Sequence, residues 1–169
     1  MKKLLFLSIL FSAFTSCKKE SVDTPTEDVP IIENNAVAVT DPVNYPPSVS
    51  IAKTNVTQLN YGRIKVAKSM NLQLSNITPD IMANSSIHIY LKLGGNYYHL
   101  PNSTPTGIAY NYSLKAAYPY CNLTVTRSVG LPEVFEDVII VVAKNSYLLT
   151  MTPSLNFGNY GTVKLRLGL

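Results

Sequence analysis

The chain has 169 residues, with 14 Lys or Arg against 10 Asp or Glu, two histidines, two cysteines and no tryptophan. That length holds one domain of ordinary size and a tail, and two cysteines are too few for a disulfide-built scaffold. The formal charge of +4 is unevenly divided: residues 18–49 carry two Lys and six acids, while residues 50–169 carry ten Lys or Arg and four acids. An acidic tether therefore precedes a basic domain. Basic charge suits anionic surroundings such as acidic polysaccharide or lipopolysaccharide, although solubility alone is the plainer reason for it.

Lys2 and Lys3 precede eleven uncharged residues, Leu4 to Phe14. At about 1.5 Å per residue such a helix reaches ~16 Å, roughly half a bilayer core, so a permanent span is not expected. The order is that of an export signal. Its end, Thr15-Ser16-Cys17, resembles the lipobox of bacterial lipoproteins, with Phe14 where Leu is common. That resemblance implies a signal over residues 1–16 and acylation of Cys17. It also implies an outer-membrane protein held by its lipid, facing either the surface or the periplasm. More than one acyl chain is needed for stable anchoring. With Cys17 acylated, Cys121 has no disulfide partner in the chain. Nucleic acid is not an expected partner of an exported, anchored protein.

Residues 17–49 hold five prolines and scattered acids without sustained periodicity, and read as a linker. Flexible-coil scaling gives them a span of about 30 Å. Glu20, Asp23, Glu27 and Asp28 soon after Cys17 resemble the signal that sends some Bacteroidota lipoproteins to the outer face.

From Ser50 onward the period becomes two. Ile64 and Val66 alternate with Arg63 and Lys65, and Met70, Leu72 and Leu74 with Asn71, Gln73 and Ser75. The stretch "TPDIMANS" allows one helical turn after Thr78. Ile87, Ile89, Leu91 and Leu93 then alternate with His88, Tyr90 and Lys92, which predicts a half-buried strand, and Gly94-Gly95-Asn96 predicts a hairpin. "YNYSLKA" and "CNLTVTR" alternate likewise. "DVIIVVA" is apolar on both sides, as in a central strand covered on two faces. "SYLLTM" and "TVKLRLGL" are expected as final strands, the latter with Val163, Leu165 and Leu167 inward. About eight short strands between Gly, Pro, Asn and Ser turns predict an all-β domain over residues 50–169. The expected form is a two-sheet antiparallel β-sandwich of immunoglobulin-like or Greek-key type.

The segment Ile77 to Pro101, "ITPDIMANSSIHIYLKLGGNYYHLP", is similar to a pattern in small exported proteins of Bacteroidota, and Phe135 to Ala143 resembles their penultimate apolar strand. Asn84-Ser85-Ser86 stands where those proteins carry Gly. The resemblance implies a secreted or lipid-anchored β-domain of generally unassigned activity, and it transfers no catalytic residue.

Candidate chemistry is sparse. His88 and His99 flank the hairpin and can approach each other across it, but no third ligand has metal spacing, so no metal or cofactor is expected and exposed strand histidines suffice. Glu133, Glu136 and Asp137 cluster in "PEVFED", a pattern that glycoside hydrolysis uses in pairs, yet adjacent residues of a strand face opposite ways. Acidic caps at a loop entry are the better account of them. Cys121 shares parity with Leu123 and Val125 and is expected inside. Asn76 and Asn122 open Asn-x-Thr triplets, which carry no weight in the bacterial protein that the lipobox resemblance implies.

Eleven tyrosines are the odd feature of the composition. Tyr97, Tyr98, Tyr110, Tyr112, Tyr118 and Tyr120 occur in pairs near strand ends, where a flat ring and a hydroxyl suit a glycan or protein contact surface. Strand preference explains them as well. The sequence therefore predicts a monomeric, non-enzymatic lipid-anchored surface protein acting as an accessory binding or structural module, with polysaccharide or a surface protein as partner. A glycan-binding module using loop tyrosines is the alternative, and a small hydrolase the distant one.

Overall fold

The computed structural model describes residues 37–38, 46–151 and 154–169. The expected signal, Cys17 and most of the expected linker lie outside the described residues. In chain order the first strands are β1 (Val37–Ala38), β2 (Val49–Ala52), β3 (Val56–Asn60), β4 (Ile64–Val66) and β5 (Ser69–Leu74). Helix α1 (Pro79–Asn84) leads to β6 (Ser85–Leu93), β7 (Asn96–His99), β8 (Asn102–Ser103) and β9 (Ala109–Ala117). The remainder is β10 (Tyr120–Arg127), β11 (Glu133–Phe135), β12 (Asp137–Lys144), α2 (Asn145–Leu148) and α3 (Tyr160–Leu167).

A five-stranded sheet has the order β2-β3-β12-β6-β7, and a four-stranded sheet has the order β5-β10-β9-β8. Both are antiparallel throughout. A small third sheet, β1-β4-β11, includes one parallel pairing, in which Val37 and Ala38 of the expected linker lie against β4. The fold is all-β and sandwich-like, with more strands than the alternation suggested.

The alternating side chains do what their period requires. Ile87, Ile89 and Leu91 of β6 and Val138, Ile140 and Val142 of β12 face Met70, Leu72 and Leu74 of β5 and Cys121, Leu123 and Val125 of β10, all in one buried cluster. Register aligns them in rungs: Leu72 opposite Leu123 and Leu123 opposite Leu114 in one sheet, Ile140 opposite Ile89 in the other. The β6–β7 hairpin turns at Gly94 and Gly95, whose φ values of 57° and 75° favour glycine. Helix α1 starts where expected, with Thr78 Oγ1 accepting from the Ile81 amide at 3.3 Å.

The C-terminus differs from expectation. "TVKLRLGL" belongs to a helix rather than a strand, and "SYLLTM" begins with the single helical turn α2. The ends of α3 decide its state. Asn159 Oδ1 accepts from the Thr162 amide at 3.0 Å, and Gly168 ends the helix at φ 67°. Tyr160, Val163 and Leu167, at helical spacing, are buried, whereas Leu165 is 81% exposed.

This helix covers the back of the five-stranded sheet. Val56, Tyr90, Ile139, Val141 and Ala143 form a second core with Tyr160, Val163 and Leu167, against which Leu155 and Phe157 pack. Strand β12 is therefore apolar on both faces because both are covered, one by a sheet and one by the C-terminal segment. Burial of Tyr160 brings a polar chain with it. Its hydroxyl donates to Gln58 Oε1 at 3.0 Å, Gln58 Nε2 to Asn60 Oδ1 at 2.7 Å, and Asn60 Nδ2 to Asp137 Oδ2 at 2.7 Å. The Gln58 and Asn60 amides are thereby paired, as an apolar surrounding demands.

Candidate functional site

The expected catalytic types are largely occupied by the fold. His88 Nδ1 and His99 Nε2 lie 3.0 Å apart across the hairpin, so one ring donates to the other. Neither histidine stands free on a strand surface. Phe157 stacks on His88 with ring centroids 3.5 Å apart and planes at 8°, and both imidazoles are half-buried. Burial, followed by the neighbouring His99, holds the His88 pKa down to about 4, and burial lowers that of His99. The His88 ring is therefore neutral at pH 7.

The carboxylates of "PEVFED" part company. Glu133 accepts from Tyr110 at 2.7 Å, Thr106 at 2.9 Å and Thr104 at 3.0 Å. Glu136 pairs with Lys92 at 3.0 Å and accepts from the Gly95 amide, contacts that hold its carboxyl below the usual range. Asp137 accepts from Asn60 and, at 2.8 Å, from the Gly62 amide. Cys121 is buried, and burial pushes its thiol pKa up, away from nucleophilic chemistry. Among the described residues no group of three or more His, Cys, Asp or Glu is arranged to hold a metal.

The six tyrosines do not make one surface. Tyr110 is 1% exposed, with its ring edge-on to Phe135 and its hydroxyl on Glu133, so it contributes nothing to a contact face. Tyr112 packs against the main core and donates to the Ile87 carbonyl at 3.4 Å. Tyr118 is 91% exposed and Tyr120 half-buried, in the turn that enters β10 beside α1, where Cys121 Sγ is 3.6 Å from Met82 Sδ. Tyr97 and Tyr98 lie at the far end of β6, on opposite faces of β7. Tyr110 and Tyr112 share the inward face of β9, and which face of a strand is covered is not legible from its own pattern.

Clefts open among the described residues of the domain, and three of them follow. One, of 440 Å³, is bounded by Ile108, Val129, Leu131 and Glu133. Another, of 320 Å³, lies beside α1, with Lys53, Lys144 and Asp80 around Val56, Val142 and Ile81. The third, of 270 Å³, lies between the β6–β7 hairpin and the start of α3. It is lined by Tyr97, Tyr160, Asn96 and Asn159, with Gly95, Gly158 and Gly161 leaving peptide backbone uncovered. The Tyr97 and Tyr160 ring centroids are 4.4 Å apart at 38°. Burial, then Tyr97 and Asp137, push the Tyr160 pKa up to about 12, so the hydroxyl remains protonated.

This third cleft is the candidate site. It joins one residue singled out in the sequence, Tyr97, to three that were missed: Asn96, Asn159 and Tyr160. The signal for the last two was the Asn-Tyr-Gly run before "TVKLRLGL", which gains meaning only once that segment is helical. Compared with protein-family models, curated proteins and solved structures, the chain matches none. Among the described residues no helix is long and apolar enough to cross a membrane.

Proposed function

We propose that the chain is a lipid-anchored, non-enzymatic surface module that binds a partner rather than transforming it. The observation that carries this reading is the use of the domain's reactive side chains within the fold. The two histidines bond to each other, Glu133, Glu136 and Asp137 are satisfied by named donors, and Cys121 is buried. A general base or nucleophile must reach a substrate, and these groups are held by one another or by the fold, with the second ring nitrogen of His88, Nε2, buried. The anchor rests on Lys2, Lys3, the uncharged run to Phe14 and the lipobox-like Thr15-Ser16-Cys17. The expected location is the outer membrane, with the acidic residues after Cys17 favouring its outer face.

A second reading, a glycan-binding module, is favoured by the aromatic and amide lining of the hairpin–α3 cleft. Metabolic labelling with a palmitate analogue tests the anchor. Incorporation that disappears in Cys17→Ser supports it, and an unlabelled wild-type chain overturns it. Protease treatment of intact cells tests exposure: a chain left uncut contradicts the surface assignment.

A further inference from the structure

We infer that the cleft between the β6–β7 hairpin and α3 is a subsite for one residue of a neutral sugar. This rests on the binding-module reading above and names its ligand. The first observation is how the two asparagines are used. Asn159 spends its Oδ1 on the Thr162 amide, which leaves the Nδ2 donor for the cleft. Asn96 spends its Nδ2 on the Gly94 carbonyl at 3.2 Å, which leaves Oδ1 as an acceptor. Each side chain is fixed by one bond and presents the complementary half of its amide. A donor and an acceptor lining one cleft match hydroxyls of one ring, each of which both donates and accepts.

The second observation is the ring. Tyr97 is 39% exposed and braced by Tyr160, so its position is set before any ligand arrives. A sugar presents one carbon-bound face, which suits an aromatic plane, and an edge of hydroxyls, which suits amides and bare peptide. The glycines leave peptide backbone bare in the lining. Gly95 takes φ 75°, which favours glycine, and a Cβ on Gly161 would come within 3.3 Å of Asn159 Oδ1 and press on that amide.

The third observation is charge. The lining holds no Asp, Glu, Lys or Arg, and Lys92, whose Nζ lies 5.9 Å from the Tyr97 ring centroid, is paired with Glu136 at 3.0 Å. An acidic sugar would find no counter-charge here, whereas the Lys53–Lys144 cleft would supply one. The volume is at the low end for ligand sites and fits one ring rather than a chain.

The test is titration of the full isotope-labelled chain with glucose, galactose, mannose and N-acetylglucosamine, and with short neutral oligomers of each, followed by amide resonances. The expected result is saturable shifts centred on Gly95, Asn96, Tyr97 and Gly158 to Gly161, with Kd on the order of 1 mM. Tyr97→Ala should weaken binding at least about tenfold, while Tyr97→Phe stays within about twofold. Asn96→Ala removes only a hairpin side chain, and its binding should weaken about fivefold with an unchanged melting curve. Shifts centred on the Lys53–Lys144 cleft would overturn this site yet leave the binding-module reading intact. No shift with any sugar at about 50 mM, in a chain whose spectrum is folded, would overturn the sugar assignment outright. The acylation test at Cys17 is independent of either result.

Discussion

On its front face the five-stranded sheet buries Ile87, Ile89, Leu91, Val138, Ile140 and Val142 against a second sheet. On its back face Val56, Tyr90, Ile139 and Val141 are buried under one eight-residue helix and the irregular chain that leads to it. The front seal is made of rungs, each supported by cross-strand neighbours and by ladder hydrogen bonds. The back seal relies on Tyr160, Val163 and Leu167, with Phe157 laid over His88. It also carries polar atoms of its own: the histidine pair, the Tyr160–Gln58 bond and the Tyr90 hydroxyl on the Phe157 carbonyl at 2.8 Å. A layer held by few apolar contacts opens before the rest of a domain does. The candidate site is built where that layer meets the hairpin, so the less secure face is also the one that presents chemistry.

Changes on either face should separate the two. Leu123→Ala empties the centre of the front core and should cost about 3–4 kcal/mol in denaturant unfolding, with every probe reporting one transition. Leu167→Ala on the back should cost about 2–3 kcal/mol. Its mark is locality: amide exchange should rise in α3 and around Phe157 while β5 and β10 remain protected. Equal loss of protection in both sheets would erase the distinction.

Acid sharpens the comparison further. The His88 pKa is lower in the folded chain than in the unfolded one, so folding disfavours its proton. The pair's contribution is whole above about pH 6.5, falls as pH drops toward about 4, and is lost below that. Solvent screening at this half-buried site reduces the expected loss to about 1–2 kcal/mol. His88→Gln should flatten stability between pH 6.5 and pH 4, and a slope unchanged in that variant would place the titrating group elsewhere. The smallest effect belongs to Gly168→Ala. The left-handed φ of 67° and a Cβ 3.0 Å from Lys53 Nζ should cost about 1 kcal/mol, read as a small fall in Tm confined to the back layer.

The front face was legible because its residues answer to a period of two: Met70, Leu72 and Leu74, then Ile87, Ile89 and Leu91, point where alternation requires. The approach of His88 to His99 was equally legible, since Gly94-Gly95 folds their strands together. Strand β12 held a further clue. A two-layer sandwich leaves one side of each sheet in water, so a strand apolar on both sides already demands a third cover. The identity of that cover was obscured by eight residues that fit both periods. Val163, Leu165 and Leu167 alternate as a strand would, while Tyr160, Val163 and Leu167 repeat as a helix would. The caps, Asn159 and Gly168, break the tie. Tyr90 and His88 then lose their solvent, and Tyr97 gains Tyr160 as a neighbour, consequences of long-range packing that no local pattern contains.

The account turns on the C-terminal helix closing the back of the sheet and forming one wall of the cleft. Backbone carbon chemical shifts across residues 160–167, read with methyl contacts from Val163 and Leu167, test it most directly. The account predicts helical shifts over that run and contacts from those methyls to Val141 and Val56. Extended shifts across residues 163–167, with Leu165 rather than Val163 turned inward, would contradict it.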